Sequence, residues 1–284
     1  MGLLVGTHLY DAQDDAAHRQ AAAAQSLRAL RGVGLGNVQW PDEACEVEGV
    51  RTLPRLKLDS RTVTGRPGER RPVVSEVFDV LARVAEEEGR EYFAYANGDI
   101  LVSQAAADRI LTGRRETYAF SRMEVDAESG REGEITTQGA DLFAARVDWW
   151  RRNRTRFRPY VVAERVWDNV YTAILLAHSD GVLLNREPLV RRHAHASAAR
   201  GESPFADYTR LLASLDRPYL SLWARYHQGL LELRARGAGA EEEAELQRRA
   251  FSGGTSPRTS WLQAARAARA RLAYAARRRT WKPR

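Results

Sequence analysis

Apolar residues recur along the chain at two spacings, and the spacing changes where the elements change. Gly2–His8 is a short unbroken apolar run entering a polar loop, the pattern of a buried parallel strand. An Ala-rich stretch from Asp14 to Arg31, with acids at its start and Gly32 behind it, predicts a helix. Asn37–Trp40 reads as a second strand. Residues 42–72, bounded or broken by Pro41, Pro54, Gly65, Pro67, Gly68 and Pro72, predict loops with one or two short strands. Apolar positions 73, 74, 77, 80, 81 and 84 then share one helical face, and Gly89 ends it.

The aromatic run Glu91–Ala96 is the next strand, followed by Asn97-Gly98-Asp99-Ile100 and a short helix from Ser103 to Leu111. Residues 116–125 and 131–136 predict a hairpin around Glu128-Ser129-Gly130. Strands are expected at Asp141–Val147, Tyr160–Ala163, Val182–Leu184 and Leu189–His195, with helices at Trp149–Asn153 and Val166–His178. After Ser203 the pattern is helical over 204–215, 218–235 and 240–250. A Gly/Ser/Pro break precedes a final Ala/Arg helix at about 259–278. Alternating strand and helix through residue 112 implies a parallel sheet with right-handed crossovers. Ligands of such sheets bind beyond the carboxyl ends of the strands, where Thr7, His8 and the Asn97–Asp99 turn fall.

Composition narrows the class. The 284 residues are 44% apolar, too hydrophobic for general disorder. A single cysteine, Cys45, excludes an internal disulfide and a thiolate-rich zinc site. No run approaches the ~20 apolar residues of a membrane span. The first residues carry no basic region and too short an apolar run for a signal peptide, so a cytoplasmic protein is expected. The net charge of +7 is unevenly spread. Eleven of the 44 basic residues, and no acid, lie in 247–284, while residues 1–246 hold 33 basic and 37 acidic residues, a net of −4. With Lys57 and Lys282 the only lysines, the arginine content matches GC-rich bacterial coding and carries little chemistry by its number alone.

Several residues could carry chemistry, and each has an ordinary reading beside it. Asp99, behind a strand and a glycine, could reach a divalent cation on a nucleotide phosphate, or the NGD sequence could be a plain turn. His193 and His195 leave the same face of a strand and could contact a metal or a diphosphate, or form a solvated edge. Asp168 opens a helix as a capping acid or as a general base.

In this order, VGTH, RPVVSE (71–76), YFAYANGDIL, SRM with Asp126, QGADLF (138–143), ERVWDN (164–169) and the late histidines resemble the GT-A-type nucleotide-diphospho-sugar glycosyltransferases over about residues 2–200. The resemblance implies a GT-A-like (Rossmann-like) α/β fold, a mixed and mostly parallel sheet flanked by helices, with a domain at 1–200 and a helical extension at 201–284. It implies transfer of a sugar from a nucleotide-diphosphate donor to an unidentified acceptor, whether glycan, small molecule or natural product. Thr7 would lie at the base or ribose, Arg71 near the diphosphate, and His8, Asn97, Gly98, Arg122, Trp167 and Asn169 against the substrate. Asp168 is the first candidate base and Asp141 the second. The family's Asp-x-Asp metal motif is represented by Asn97-Gly98-Asp99, one acid short. Asp99 with His193 or His195 would hold Mn²⁺ or Mg²⁺ more weakly than a full motif, or the site would hold no metal. The C-terminal helices would shape the acceptor side or a subunit contact, so a homo-oligomer is one expected form. Two alternatives stand beside this reading: a catalytically silent nucleotide-sugar binder, permitted by Asn97, and a binder of nucleic acid or anionic surfaces through the basic tail.

Overall fold

The computed structural model describes residues 2–43, 45–126, 129–194 and 203–252. The elements in chain order are β1 (Leu3–Thr7), α1 (Asp14–Arg28), β2 (Gly34–Gln39), β3 (Arg51–Pro54), α2 (Ser60–Thr64), α3 (Val74–Glu87), β4 (Tyr92–Ala96), β5 (Ile100–Val102) and α4 (Gln104–Gly113). There follow β6 (Thr117–Phe120), β7 (Met123–Val125), β8 (Glu132–Ile135), β9 (Leu142–Arg146), α5 (Val147–Asn153), α6 (Trp167–Ala177), β10 (Val182–Leu184), β11 (Val190–His193), α7 (Ala206–Leu215), α8 (Arg217–Ala235) and α9 (Ala240–Phe251).

Seven strands form the central sheet in the order β10-β6-β9-β4-β1-β2-β3. It is parallel except for β9, which lies antiparallel between β4 and β6. Both faces are covered, so β1, β4 and β6 are buried at every position and read as continuous apolar runs. Alternate residues enter two cores. Leu4, Phe93, Tyr95 and Phe143 pack toward α3, α5 and α6, whereas Leu3, Val5, Tyr92 and Phe120 join the apolar face that includes Leu27 of α1 and Ile110 of α4. The apolar stripe foreseen for α3 is buried throughout, with Val77, Leu81 and Val84 at 0–1% exposure. Helices α7–α9 share the first core through Tyr208, Leu212, Trp223, Tyr226 and Phe251.

A second sheet, β5-β11-β7-β8, stands beside the strand ends. The expected continuous strand over 116–125 is in fact two, because the chain leaves the central sheet at Ser121. There Ser121 Oγ donates to the Gly139 carbonyl at 2.8 Å, and β7 joins β11 instead. Tyr160–Ala163 forms only an isolated bridge between Val161 and Val73, and the short α2, hidden among prolines and glycines, is capped by Asp59 accepting from Thr62 N–H at 2.7 Å. The final Ala/Arg helix expected after residue 258 lies outside the described residues. Among the described residues, no helix is long and apolar enough to cross a membrane.

The topology places a crevice. From β1 the chain crosses by α1 to β2 on one side, while β4, reached through α3, pairs with β1 on the other. Between β1 and β4 the strand order reverses, the position at which open α/β sheets bind ligands.

Candidate functional site

A cleft of about 2350 Å³ opens over that point, walled by the β1, β2 and β4 ends, the 69–72 loop, the start of α6 and the start of α7.

At the β1 end, His8 is stacked against Tyr10 with ring centroids 6.0 Å apart and stands edge-on to Trp40 at 5.3 Å. His8 Nε2 lies 3.2 Å from Glu43 Oε2, and the Arg70 guanidinium covers Trp40 at 4.1 Å. The buried amides of β2 hold this corner from behind. Asn37 Oδ1 accepts from Leu9 N–H at 2.8 Å, and Gln39 Nε2 donates to the Leu9 carbonyl at 3.2 Å. Thr7 is buried beneath the corner, and its hydroxyl has no hydrogen-bond partner among the described residues.

The Asn97–Asp99 turn abuts this corner. A Cβ on Gly98 would stand 2.8 Å from the His8 carbonyl oxygen, so glycine is required for the close approach. Asn97 Nδ2 donates to Asp141 Oδ1 at 3.0 Å, and Arg122 Nη1 donates to Asp141 Oδ2 at 2.6 Å. Arg122 Nε also donates to Glu124 Oε1 at 2.7 Å, Arg192 Nη2 donates to the same oxygen at 2.7 Å, and Arg192 Nη1 lies 3.9 Å from Asp99 Oδ2. Asp99, Arg192, Glu124, Arg122, Asp141 and Asn97 thus close a ring whose charged members alternate in sign. The two guanidinium groups hold the Glu124 carboxyl below its usual range despite its burial.

Asp168 faces the ring from the start of α6. Its carboxyl is half-buried in the cleft wall and pushed up to about 7, first by desolvation and then by the neighbouring negative charge of Asp141. Backbone N–H groups at the helix start and the more distant Arg122 oppose that rise only in part. Room for it comes from Gly139, at φ +100°, where a Cβ would fall 2.1 Å from Asp168 Oδ2. The residue before the helix, Val166, has φ +69°, a left-handed conformation that costs a β-branched residue about 1–3 kcal/mol. It is held there because Trp167 is buried against Phe143 at 5.2 Å and Val170, Tyr171 and Ile174 are fully buried. Burying each of those large side chains stabilises the fold by roughly 1.5–3 kcal/mol, enough to offset the strain.

The opposite wall is tied by Glu164, a buried carboxylate. Arg71 Nη1 donates to it at 3.2 Å, Ser203 Oγ at 2.5 Å and Thr209 Oγ1 at 3.2 Å. Arg71 is further held by Glu69 at 2.8 Å. Next in sequence, Arg165 is exposed in the cleft and makes no ion pair or hydrogen bond with another described residue.

The structure therefore gathers His8, Arg71, Asn97, Gly98, Asp99, Asp141, Trp167, Asp168 and Asn169 around one cleft. Thr7 and Arg122 stand behind it. His193 lies outside the lining, because strand alternation turns it away from the face that presents Arg192. His195 lies outside the described residues. Among the described residues, no three His, Cys, Asp or Glu side chains gather to hold a metal ion. Sequence reasoning passed over Tyr10, Trp40, Glu43, Arg70, Glu164 and Arg165, and noted Arg192 only as a neighbour of the late histidines; all line the same cleft. In an arginine-rich chain no local signal separated Arg165 from the others, although Glu164 and Arg165 adjoin the Trp167-Asp168-Asn169 segment.

No protein-family model matches the chain, and no curated protein sequence matches it. Among solved structures it is similar to S. aureus TarS residues 1–349 in complex with UDP-GlcNAc, at 11% identity, covering 88% of this chain and 79% of that one with a TM-score of 0.48. Similarity to the same TarS fragment in complex with UDP spans 100% of this chain and 93% of that one, at 12% identity and a TM-score of 0.47. Neither likeness assigns a role to a residue here.

Proposed function

We propose that this chain is a nucleotide-sugar-dependent glycosyltransferase with Asp168 as its general base. One observation carries the reading: a carboxyl pushed up to about 7 on the floor of a cleft at the strand-order reversal, with the Asp141–Arg122 pair beside it. A general base works best with a pKa near the operating pH, and paired carboxyls whose environments separate their affinities divide the acid–base roles. Asp141, which accepts from Asn97 and Arg122, is held in place beside Asp168.

The aromatic corner of His8, Tyr10 and Trp40 fits a nucleobase, and Arg165 and Arg71 stand along the cleft for a diphosphate. Asn169 Oδ1 and Asn97 Oδ1, both buried without a hydrogen-bond partner among the described residues, can accept from hydroxyl groups of a bound sugar. An acceptor hydroxyl gives its proton to Asp168 as its oxygen bonds to the anomeric carbon. The electron pair of the carbon–phosphate oxygen bond leaves with the nucleoside diphosphate, where fixed guanidinium groups meet the developing charge. Such a single displacement inverts the anomeric centre.

A panel of UDP-, GDP-, dTDP- and CMP-sugars tests the reading by thermal shift, because a ligand that binds the native state alone raises the melting temperature. One class of donor is expected to shift it, and absence of binding by the whole panel overturns the proposal. A silent binder is the second reading, favoured by Asn97 spending its amide on Asp141. Turnover or hydrolysis of the bound donor decides against it.

A further inference from the structure

Resting on the glycosyltransferase reading, we propose that the departing diphosphate is met by the Arg192 guanidinium and that donor binding needs no divalent cation. The inference comes from what already occupies the Asn97–Asp99 turn. A divalent cation binds through several oxygen ligands, carboxylates foremost. Here the first position of the turn is an amide, and its Nδ2 is committed to Asp141 Oδ1 at 3.0 Å. Asp99 supplies the one carboxylate of the turn, and Arg192 stands 3.9 Å from it.

Backbone register makes that placement durable. In β11, Arg192 pairs with Ile100 of β5, the residue directly after Asp99, so the guanidinium arises opposite the turn. Two bonds to Glu124, at 2.7 and 3.2 Å, hold its fork, and Glu124 is held in turn by Arg122. Its strand neighbours point the other way, Arg191 pairing with Glu132 at 2.8 Å and His193 standing outside the cleft lining. A cation entering beside Asp99 would meet the positive charge of Arg192 and would break the alternating ring. The ring carries three carboxylates and two guanidinium groups, so the one excess negative charge is distributed and no pair of carboxylates is left to be bridged. A guanidinium offers a planar fork that matches phosphate oxygens, so the same side chain that excludes the cation can replace it at the leaving group.

Two measurements on the full chain test this. Uptake of Mn²⁺ alone is followed by loss of the free-ion electron paramagnetic resonance signal. Binding of UDP, GDP and dTDP is followed by calorimetry in EDTA and again with Mn²⁺. The expected results are no uptake of Mn²⁺, nucleoside diphosphate affinity equal within about twofold in the two media, and a loss of about tenfold or more in Arg192→Gln, the scale of a lost charge-assisted bond. Arg192→Lys, which keeps the charge in place, is expected to recover part of that loss, which separates a charge effect from misfolding. A gain of tenfold or more on adding Mn²⁺, abolished by Asp99→Asn, overturns the proposal, as does Mn²⁺ uptake that depends on Asp99. If no nucleoside diphosphate binds in either medium, the glycosyltransferase reading fails with it, whereas a Mn²⁺-dependent gain defeats this inference and leaves that reading standing.

Discussion

The substitution Asp168→Asn should make the protein more stable at high pH while removing the proposed sugar transfer. The Asp168 carboxyl rises from an ordinary 3.8 to about 7 because burial and Asp141 disfavour its charge. At 1.36 kcal/mol per pH unit, holding it ionised in the native state costs about 4 kcal/mol. Between those two values the native state binds a proton that the unfolded chain has released. Its contribution to stability is therefore complete below about pH 4 and is lost as the pH rises through about 7. The amide would keep the shape of the carboxyl and remove the titration, so the variant's advantage should be a fraction of a kcal/mol near pH 4 and roughly 2–4 kcal/mol at pH 8, after allowance for imperfect hydrogen bonding of the amide. At about 2–4 °C per kcal/mol, the melting temperature should rise by several degrees at pH 8 and hardly at all near pH 4. In the same preparations kcat should fall by about 10²–10⁴, the usual scale of a lost general base. Other carboxyls titrate over this range, but the difference between the two proteins isolates position 168. A variant no more stable than the parent at pH 8, or an advantage that fails to shrink on acidification, refutes the reasoning about burial. An unchanged kcat refutes the role of base.

Asp141→Asn removes the charge that helps lift Asp168, so the midpoint of the pH–rate profile should move to lower pH, with kcat reduced by the loss of the Arg122 partnership. Gly139→Ala would set a methyl group within 2.1 Å of Asp168 Oδ2 at a φ of +100°, and a destabilisation of about 1–3 kcal/mol with loss of transfer is expected in denaturant titration and activity assays. Ile174→Ala, in the fully buried face of α6, should cost about 2–5 kcal/mol in urea unfolding, with donor affinity unchanged under conditions where the variant remains folded.

Much of the architecture was open to reading because it is written in short-range patterns. The stripe at 73, 74, 77, 80, 81 and 84 is α3, and the three helices foreseen after Ser203 appear within two residues of their expected ends. The site was legible in part. His8, the Asn97–Asp99 turn and Asp168 could be placed at strand ends and a helix start, since alternation of elements fixes which chain ends meet in an α/β sheet. The partners of those residues could not. Arg192 and His193 are adjacent in sequence and equally plausible beside a phosphate, and one residue of register sends them to opposite faces.

By itself the sequence determined the class of fold, the face that α3 buries and the end of the sheet at which the candidate residues collect, because hydrophobic period and turn chemistry are properties of neighbouring residues. The tertiary structure alone decided that β9 runs antiparallel between β4 and β6, that Asn97 and Arg122 share the Asp141 carboxyl, that Arg192 rather than His193 stands by Asp99, and that desolvation and Asp141 push the Asp168 carboxyl up. Each of these depends on groups between 19 and 93 positions apart, or on how completely water is removed, and neither pairing at a distance nor desolvation leaves a trace in local pattern.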